Sequence, residues 1–248
     1  MPTVPPVPDP RNPAAVCMTS LRDGYRSLVF GASGALGQGW MHALQHDPRC
    51  AGVVGLSRNS VPPIELQDES SLHQAAMSLA DAGPFHLMLD ATGALTIDGH
   101  APEKRLQDLR APMLLQAMQV NAVGPALLLR YFSPLLATGE RVIWAKLSAR
   151  VGSIEDNHKG GWYGYRASKA ALNMLLQTAA IEIARRRPLA VVAALQPGTV
   201  RSALSRPFVG EDALDPASSA TQMLWAINRL VATGRARFID YRGEAIAW

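Results

Sequence analysis

The chain has 248 residues, of which 48% are hydrophobic and 18% are charged, and its net charge is +4. This length and apolar content suit one large domain with its own core. The positive charge is dispersed, and its one run, Arg185-Arg186-Arg187, falls at the predicted end of a long helix, where cations offset the helix dipole, so nucleic-acid binding is not expected.

The N-terminal segment is rich in proline and has no hydrophobic signal region. Residues 1–20 are therefore predicted to be a disordered leader, with Met18 as a candidate natural start, and residues 21–248 to be a single domain. No apolar stretch approaches the ~18 residues that cross a bilayer, so no membrane partner is expected. The two cysteines, Cys17 and Cys50, form neither a disulfide framework nor a metal-ligand spacing, which favours a reducing cytoplasm.

From Ser27 onward, short apolar runs alternate with longer amphipathic stretches, which is typical of parallel strands joined by helices. The predicted strands are residues 27–30, 52–56, 86–90, 141–147, 189–195 and 237–240, with a weaker one at 64–66. The predicted helices are residues 37–46, 71–80, 113–136 in one or two pieces, 165–186 and 216–233. Because the central strands are apolar throughout, helices should cover both faces of a doubly wound, mostly parallel sheet of six or seven strands. Residues 93–110 and 201–215 are predicted to be surface loops near the strand ends.

A glycine-rich turn joins the first predicted strand to the first helix, in the α/β arrangement of a Rossmann fold. Glycines 31, 34 and 37 have the spacing Gly-x-x-Gly-x-x-Gly, and Ala35 adds a methyl group inside it. The backbone amides of such a turn and the dipole of the following helix bind a pyrophosphate, although an ordinary tight turn is the alternative interpretation. The candidate cofactor-binding residues here are Gly31, Ser33, Gly34, Ala35, Leu36 and Gly37.

The end of the second predicted strand indicates which dinucleotide is bound. An acidic residue there would accept the ribose hydroxyls of NAD, but the chain has Ser57 and Arg58 instead. Arginine presents several donors to a phosphate, so NADP is favoured over NAD, with a merely solvated Arg58 as the alternative. Asp68 either approaches the adenine or begins the next helix.

Tyr165 and Lys169 lie four residues apart in a predicted helix, which places a phenol and an ammonium group on one face. A neighbouring cation favours the phenolate and lowers the pKa of the tyrosine, which would then protonate a reduced carbonyl oxygen. An exposed pair without a role is the alternative. His42 and His46 have metal-compatible spacing but no third ligand near them in the sequence, so no metal is expected.

The order of Gly31 to Gly37, Asn121 and then Tyr165 to Lys169 resembles the short-chain dehydrogenase/reductase family. The stretches Leu147-Ser148-Ala149-Arg150-Val151-Gly152-Ser153-Ile154, Gly160 to Tyr165 and Gly243 to Trp248 are similar to its C-factor and sniffer-type carbonyl reductases. The resemblance implies that Tyr165 is the general acid, that Lys169 lowers the pKa of Tyr165 and binds the nicotinamide ribose, and that Asn121 holds a proton-relay water. It also implies cofactor contacts from Ala91, Thr92, Gly93, Pro197, Gly198 and Val200, and a homodimer or homotetramer built through the helices that contain Asn121 and Tyr165.

The sequence departs from the family pattern where a serine normally polarises the substrate carbonyl. That position holds Ala149, so Ser148 is the predicted replacement and Ser153 the alternative. Asp90-Ala91-Thr92-Gly93 likewise stands where the family often has Asn-Asn-Ala-Gly. The predicted function is an NADP-dependent oxidoreductase acting on a carbonyl or alcohol, and the alternative is a dinucleotide-binding sensor with vestigial catalysis. The substrate is left open.

Overall fold

The computed structural model describes residues 16–201 and 213–248. Within them, six parallel strands form one sheet in the order β2-β1-β3-β4-β5-β6. The strands are β1 (Tyr25–Phe30), β2 (Cys50–Leu56), β3 (Leu87–Asp90), β4 (Val142–Leu147), β5 (Ala190–Gln196) and β6 (Ala236–Asp240). The predicted doubly wound Rossmann fold is thereby confirmed, with six strands.

The helices cover both faces of the sheet. They are α1 (Ala35–Gln45), α2 (Glu69–Ser78), α3 (Ala111–Met118), α4 (Gly124–Phe132), α5 (Tyr163–Arg186) and α6 (Pro216–Asn228). One apolar layer packs α2, α4 and α5 on the sheet, and the other packs α1 and α6 on the opposite face. Neighbouring residues of β1 serve different layers, since Leu28 belongs to the first and Val29 to the second.

The weak strand predicted at residues 64–66 is not formed. Pro62 and Pro63 come just before it and have no N–H groups to donate to a ladder. The Ile64 N–H instead donates to the Ser57 carbonyl, which turns the chain back to the end of β2. The sheet therefore ends at β2 on this side.

Packed structure begins before residue 21, the predicted start of the domain. Val16 and Met18 are buried in the core on the α1 side, and the Met18 N–H donates to Asp47 Oδ2 at 2.9 Å. The Tyr25 hydroxyl donates to the same oxygen at 2.6 Å. The predicted leader, residues 1–20, therefore ends too late in the chain, because Val16 and Met18 already belong to the packed core. Residues 1–15 lie outside the described residues, and their disorder stays a prediction.

The helical stretch Ala111–Leu135 contains an 18-residue window with a mean hydropathy of 1.2 and is long enough to span a bilayer, so the expectation that no apolar stretch reaches this length was wrong. The stretch contains α3, a π-helical turn (Gln119–Val123) and α4. In this fold, Leu128 and Phe132 of α4 are buried in the core layer that also holds α2 and α5. Part of the hydrophobicity of the stretch therefore serves packing.

The strand order places the segments that follow β1, β3, β4 and β5 at one edge of the sheet. In the register, Phe30 pairs with Asp90, Asp90 with Lys146, and Leu147 with Leu195. The chain crosses from β2 on one side of β1 to β3 on the other. Ligands of such sheets bind at the carboxyl ends of the strands beside this crossing point.

Candidate active site

The glycine turn after β1 forms an open helix N-terminus. Gly31 has a φ of +72°, and a Cβ added to Gly37 would lie 2.2 Å from the Gly31 carbonyl oxygen. The N-cap residue of α1, Gly34, makes no side-chain cap, and the first turn contains no acidic residue. Its backbone amides are thus suited to an anionic group, as the predicted pyrophosphate requires.

A cleft of about 500 Å³ lies at the carboxyl ends of the strands. It brings together thirteen of the predicted site residues: Gly34, Ala35, Leu36, Gly37, Ala91, Thr92, Gly93, Ser148, Tyr165, Lys169, Pro197, Gly198 and Val200. Gly31 packs beneath it against Ala91, whereas Ser33 is exposed on the turn. The residues that line the cleft include both the glycine turn at the N-terminus of α1 and the Tyr165 and Lys169 pair, the two groups of contacts that a dinucleotide would need.

Tyr165 and Lys169 reach the cleft from the first turns of α5. The Lys169 ammonium nitrogen lies 5.7 Å from the centroid of the Tyr165 ring and donates to the Leu147 carbonyl oxygen at 3.2 Å. Lys169 is only 3% exposed. Burial lowers the pKa of Lys169 to about 7, and repulsion by Lys146 adds to this effect.

Although a lowered pKa was expected for Tyr165 beside Lys169, its pKa is raised in this structure. Burial raises the pKa of Tyr165 to about 12, because the charged phenolate loses more hydration than the phenol. Tyr165 therefore keeps its proton at neutral pH. This state suits a group that donates a proton to a substrate oxygen.

Asn121 lies buried in the π-helical turn between α3 and α4. Its side-chain Nδ2 donates to the Ala94 carbonyl oxygen, and the Ala94 N–H donates to Asn121 Oδ1, both at 2.9 Å. The amide thus holds the segment after β3 that lines the cleft, and it does not bond to its own helix backbone. Its role in holding a relay water stays a prediction.

Ser148 does not present its hydroxyl to a substrate. Its Oγ donates to Asn173 Oδ1 at 2.7 Å, and both residues are buried. The alternative, Ser153, is also buried, and its Oγ accepts the Asp156 N–H at 3.0 Å. Ala149, which lines the cleft, has no hydroxyl, so the structure supports neither serine as the carbonyl-polarising group.

Substituting Ser148 by alanine should therefore affect stability more than catalysis. We expect Ser148→Ala to lower the free energy of unfolding by about 1–3 kcal/mol, because the buried Asn173 oxygen loses its donor. We expect kcat for carbonyl reduction to change by less than about threefold, whereas losing a polarising donor costs about 10²-fold or more. Urea unfolding and steady-state kinetics measure the two effects, and a 10²-fold fall in kcat would restore Ser148 as a catalytic residue. As a companion variant, Ala149→Ser places a hydroxyl in the cleft lining and should raise kcat.

The residues predicted to select the cofactor lie at the end of β2 and beyond it. Arg58 is exposed in the turn after β2, and Ser57 Oγ accepts the Asn59 N–H at 3.2 Å. Asp68 caps α2, since its carboxylate accepts the Ser70 N–H at 3.0 Å and the Ser70 hydroxyl at 2.6 Å. The bond from the hydroxyl is the main cause that lowers the pKa of Asp68. Asp68 therefore begins a helix, as one of the two interpretations predicts, and its contact with the adenine stays a prediction.

Sequence reasoning missed Lys146, which lies in β4 and is 0% exposed. Its ammonium donates to Asp90 Oδ1 at 3.0 Å and to Thr92 Oγ1 at 3.1 Å, and it also donates to the Thr92 carbonyl oxygen. Asp90, at the end of β3, is 1% exposed. The sequence does contain a signal for this ion pair, namely a lysine within one otherwise apolar strand and an aspartate at the end of another.

Sequence reasoning also missed the contacts that hold the start of α5. Trp162, which lines the cleft, has a φ of +53° and packs edge-on against Tyr165 with the ring centroids 6.2 Å apart. The Glu103 backbone oxygen accepts the Trp162 N–H, and Glu103 Oε2 accepts the Gly164 N–H at 3.0 Å. Glu103 also lines a second cavity of about 350 Å³ beside Tyr165. The predicted loop at 93–110 is thus part of the site, and most of the loop predicted at 201–215 lies outside the described residues.

Residues 51–232 match a family model described as enoyl-(acyl carrier protein) reductase. The chain is 27% identical over 197 residues to 1-hydroxy-2-glutathionyl-2-methyl-3-butene dehydrogenase of Rhodococcus sp. (strain AD45), which covers 75% of this chain and 79% of that one. It is 33% identical over 145 residues to the C-signal of Myxococcus xanthus, which covers 58% of this chain and 83% of that one.

Solved structures share the fold. The carbonyl reductase Sniffer of D. melanogaster has a TM-score of 0.78 and 23% identity, over 90% of this chain and 99% of that one. The NADPH-bound carbonyl reductase from chicken fatty liver has a TM-score of 0.76 and 22% identity, over 92% of this chain and 100% of that one.

Proposed function

The chain belongs to the short-chain dehydrogenase/reductase family of oxidoreductases, and from this premise we propose that it is an NADP-dependent enzyme that interconverts a carbonyl compound and an alcohol. The observation that carries the proposal is a protonated Tyr165 that reaches, together with Lys169, a cleft whose other end is an uncapped helix N-terminus. Relatives named as dehydrogenases and as a carbonyl reductase support the same chemistry. We place the chain in the sniffer-type branch of the family.

In the proposed reaction, Tyr165 donates its phenolic proton to the substrate oxygen as negative charge develops there. Lys169 lies beside the ring and stabilises the resulting phenolate when it is protonated. Asn121 and Gly93 shape the adjoining wall of the cleft, since Asn121 fixes the segment after β3 that lines it. The bound cofactor supplies the hydride, and the residues of the cleft orient the substrate and exclude water.

The N-terminus of α1 would hold the pyrophosphate of the dinucleotide, and the turn after β2 would hold its 2′-phosphate. The amides of Ala35 to Gly37 would donate to the phosphates, and Gly37 has no side chain to separate helix and turn. Arg58 is the exposed cation at the end of β2, where an acid would favour NAD. These features support NADP as the preferred cofactor.

Arg58 should contribute selectively to NADPH binding. We expect Arg58→Ala to raise the Kd for NADPH about tenfold or more and to change the Kd for NADH less than about twofold, because only NADPH carries the 2′-phosphate. Fluorescence titration with both cofactors measures the difference. Arg22→Ala is the matched control, since Arg22 is an exposed arginine paired with Glu140 before β4. Equal loss for both cofactors would contradict the assignment of Arg58 to the phosphate.

The proposed activity is tested by titrating the protein with NADPH and NADH and then screening aldehydes, ketones and quinones for loss of reduced-nicotinamide absorbance. Turnover with NADPH supports the enzyme. Tight binding with no turnover across the screen would favour the alternative, a dinucleotide-binding sensor, which draws its support from Ala149, from the engaged Ser148 hydroxyl and from the likeness to the C-signal.

We further propose a cytoplasmic homodimer or homotetramer built through α3, α4 and α5. Exposed apolar side chains on these helices and on the turn between α3 and α4 support this assembly: Leu115, Val123, Met174, Leu175 and Ile181. Exposed apolar surface of this kind marks protein interfaces.

A further inference from the structure

Lys146 is held by a complete set of acceptors at the floor of the cleft. Its ammonium has three protons to donate and three acceptors, namely Asp90 Oδ1, Thr92 Oγ1 and the Thr92 carbonyl oxygen. Asp90 Oδ1 also accepts the Thr92 N–H at 2.8 Å and the Thr92 hydroxyl at 2.6 Å. The ammonium is therefore fixed beneath Thr92, which lines the cleft.

Lys169 approaches the same segment from α5. Its ammonium donates to the carbonyl of Leu147, the residue after Lys146 in β4. It also lies 3.4 Å from the position that a Cβ on Gly93 would occupy. Two buried lysines thus flank Thr92-Gly93, one bonded to the Thr92 carbonyl and one beside the Gly93 Cα.

We propose that Lys146 is a positioning residue that acts on Lys169: it holds the Thr92-Gly93 segment against the cofactor cleft, and its ammonium, paired with Asp90, places a second positive charge next to the segment that Lys169 contacts. This inference rests on the proposed function for its catalytic meaning. The coupling between the two lysines is a property of the protein itself.

The charged groups that act on Lys169 come from three elements. Lys146 in β4 repels its charge, Asp90 in β3 attracts it, and Tyr165 on its own helix keeps its proton and is neutral. Burial is the largest cause of the lowered pKa of Lys169, and the repulsion by Lys146 adds to it more than the attraction by Asp90 opposes it. Burial also lowers the pKa of Lys146, and the ion pair with Asp90 opposes that effect. Lys169 therefore loses its proton as the pH rises through neutrality, and the stabilisation of the Tyr165 phenolate is lost with it.

A solely structural role does not explain this pair. A buried ion pair contributes little net stability compared with apolar residues of the same volume, because both charges lose their hydration. Asp90 Oδ2 is a further cost, since it is buried and has no hydrogen-bond partner within the described residues. A charge placed beside the catalytic lysine has an electrostatic effect that an apolar pair would lack.

The inference is tested by nuclear magnetic resonance of the free protein with carbon-13-labelled lysine. The chain has only four lysines, Lys104, Lys146, Lys159 and Lys169, so the spectrum is simple to assign by single substitution. Lys104 and Lys159 are exposed and serve as internal references. Lys169 should titrate well below the usual range of a lysine, and Lys146, held by Asp90 and Thr92, should keep its charge until Lys169 has lost its own.

Two variants separate the effect of the charge on Lys146 from the effect of the shape of its side chain. In the double variant Asp90→Asn with Lys146→Gln, the pair becomes neutral amides, and the titration midpoint of Lys169 should rise because the stronger of the two charges was repulsive. In Lys146→Arg the positive charge stays, and the midpoint should stay within a few tenths of a unit of its value in the unmodified protein. If a substrate is found, the alkaline limb of kcat/KM should move with the midpoint.

The proposal is overturned if the double variant leaves the Lys169 midpoint unchanged, if Lys146→Arg moves it as far as the double variant does, or if Lys146 loses its proton before Lys169. None of these readings requires turnover. A protein that shows the coupling but reduces no carbonyl would contradict the proposed function and leave the electrostatic inference standing.

Discussion

Replacing Tyr165 with phenylalanine is expected to lower kcat for carbonyl reduction by about 10²–10⁴-fold, because the substrate oxygen loses its proton donor. The ring and its packing against Trp162 are kept. The Kd for NADPH should therefore change less than about twofold. Single-turnover kinetics with NADPH and a fluorescence titration measure the two quantities separately.

Tyr163→Phe is the matched control for this variant, since it removes a phenolic hydroxyl two residues earlier in the same helix. It should leave both kcat and the Kd for NADPH close to those of the unmodified protein. Turnover that survives in Tyr165→Phe at the level of the control would remove Tyr165 from the mechanism.

Gly37→Ala is expected to lower the free energy of unfolding by about 3 kcal/mol or more and to abolish measurable NADPH binding. The added Cβ would lie 2.2 Å from the Gly31 carbonyl oxygen and 2.9 Å from the Ala32 Cα. Both are backbone atoms, so α1 must move away from the glycine turn to relieve the clash. This movement would displace the amides that face the pyrophosphate.

Gly52→Ala is the control for this variant. It also replaces a glycine within regular structure by alanine and so lowers the conformational entropy of the unfolded chain in the same way, but without a clash. A Cβ at Gly52 meets no atom within 4 Å, so the variant should be as stable as the unmodified protein or slightly more stable. Chemical unfolding and NADPH titration of both variants are required. If Gly37→Ala has the same free energy of unfolding and the same Kd for NADPH as Gly52→Ala, the close contact between the glycine turn and α1 is not essential for stability or for cofactor binding.

Features set by local spacing could be predicted from the sequence. The turn from Gly31 to Gly37 lies between β1 and α1 as expected, and Tyr165 and Lys169 reach one cleft because α5 is helical throughout their spacing. The alternation of apolar and amphipathic segments was sufficient for six strands and for helices on both faces of the sheet. In each case the determining contacts are near in sequence or follow from a repeating pattern.

Features set by tertiary packing could not be predicted in the same way. The direction of the Ser148 hydroxyl depends on Asn173, which comes 25 residues later in the chain. The pKa of Tyr165 rises instead of falling because burial is a property of the whole cleft. The Lys146 ammonium meets Asp90 only because β3 and β4 are neighbours in register, and the sequence alone does not say which strands pair.

Glu103 joins the cavity beside Tyr165 to the start of α5, since its backbone oxygen accepts the Trp162 N–H and its carboxylate accepts the Gly164 N–H. In the proposed enzyme, the loop that carries Glu103 consequently affects both what binds in this cavity and where the phenol of Tyr165 lies. An engineer who exchanges this loop to change substrate selectivity should retain a carboxylate at this position, so that the first turn of α5 keeps its acceptor.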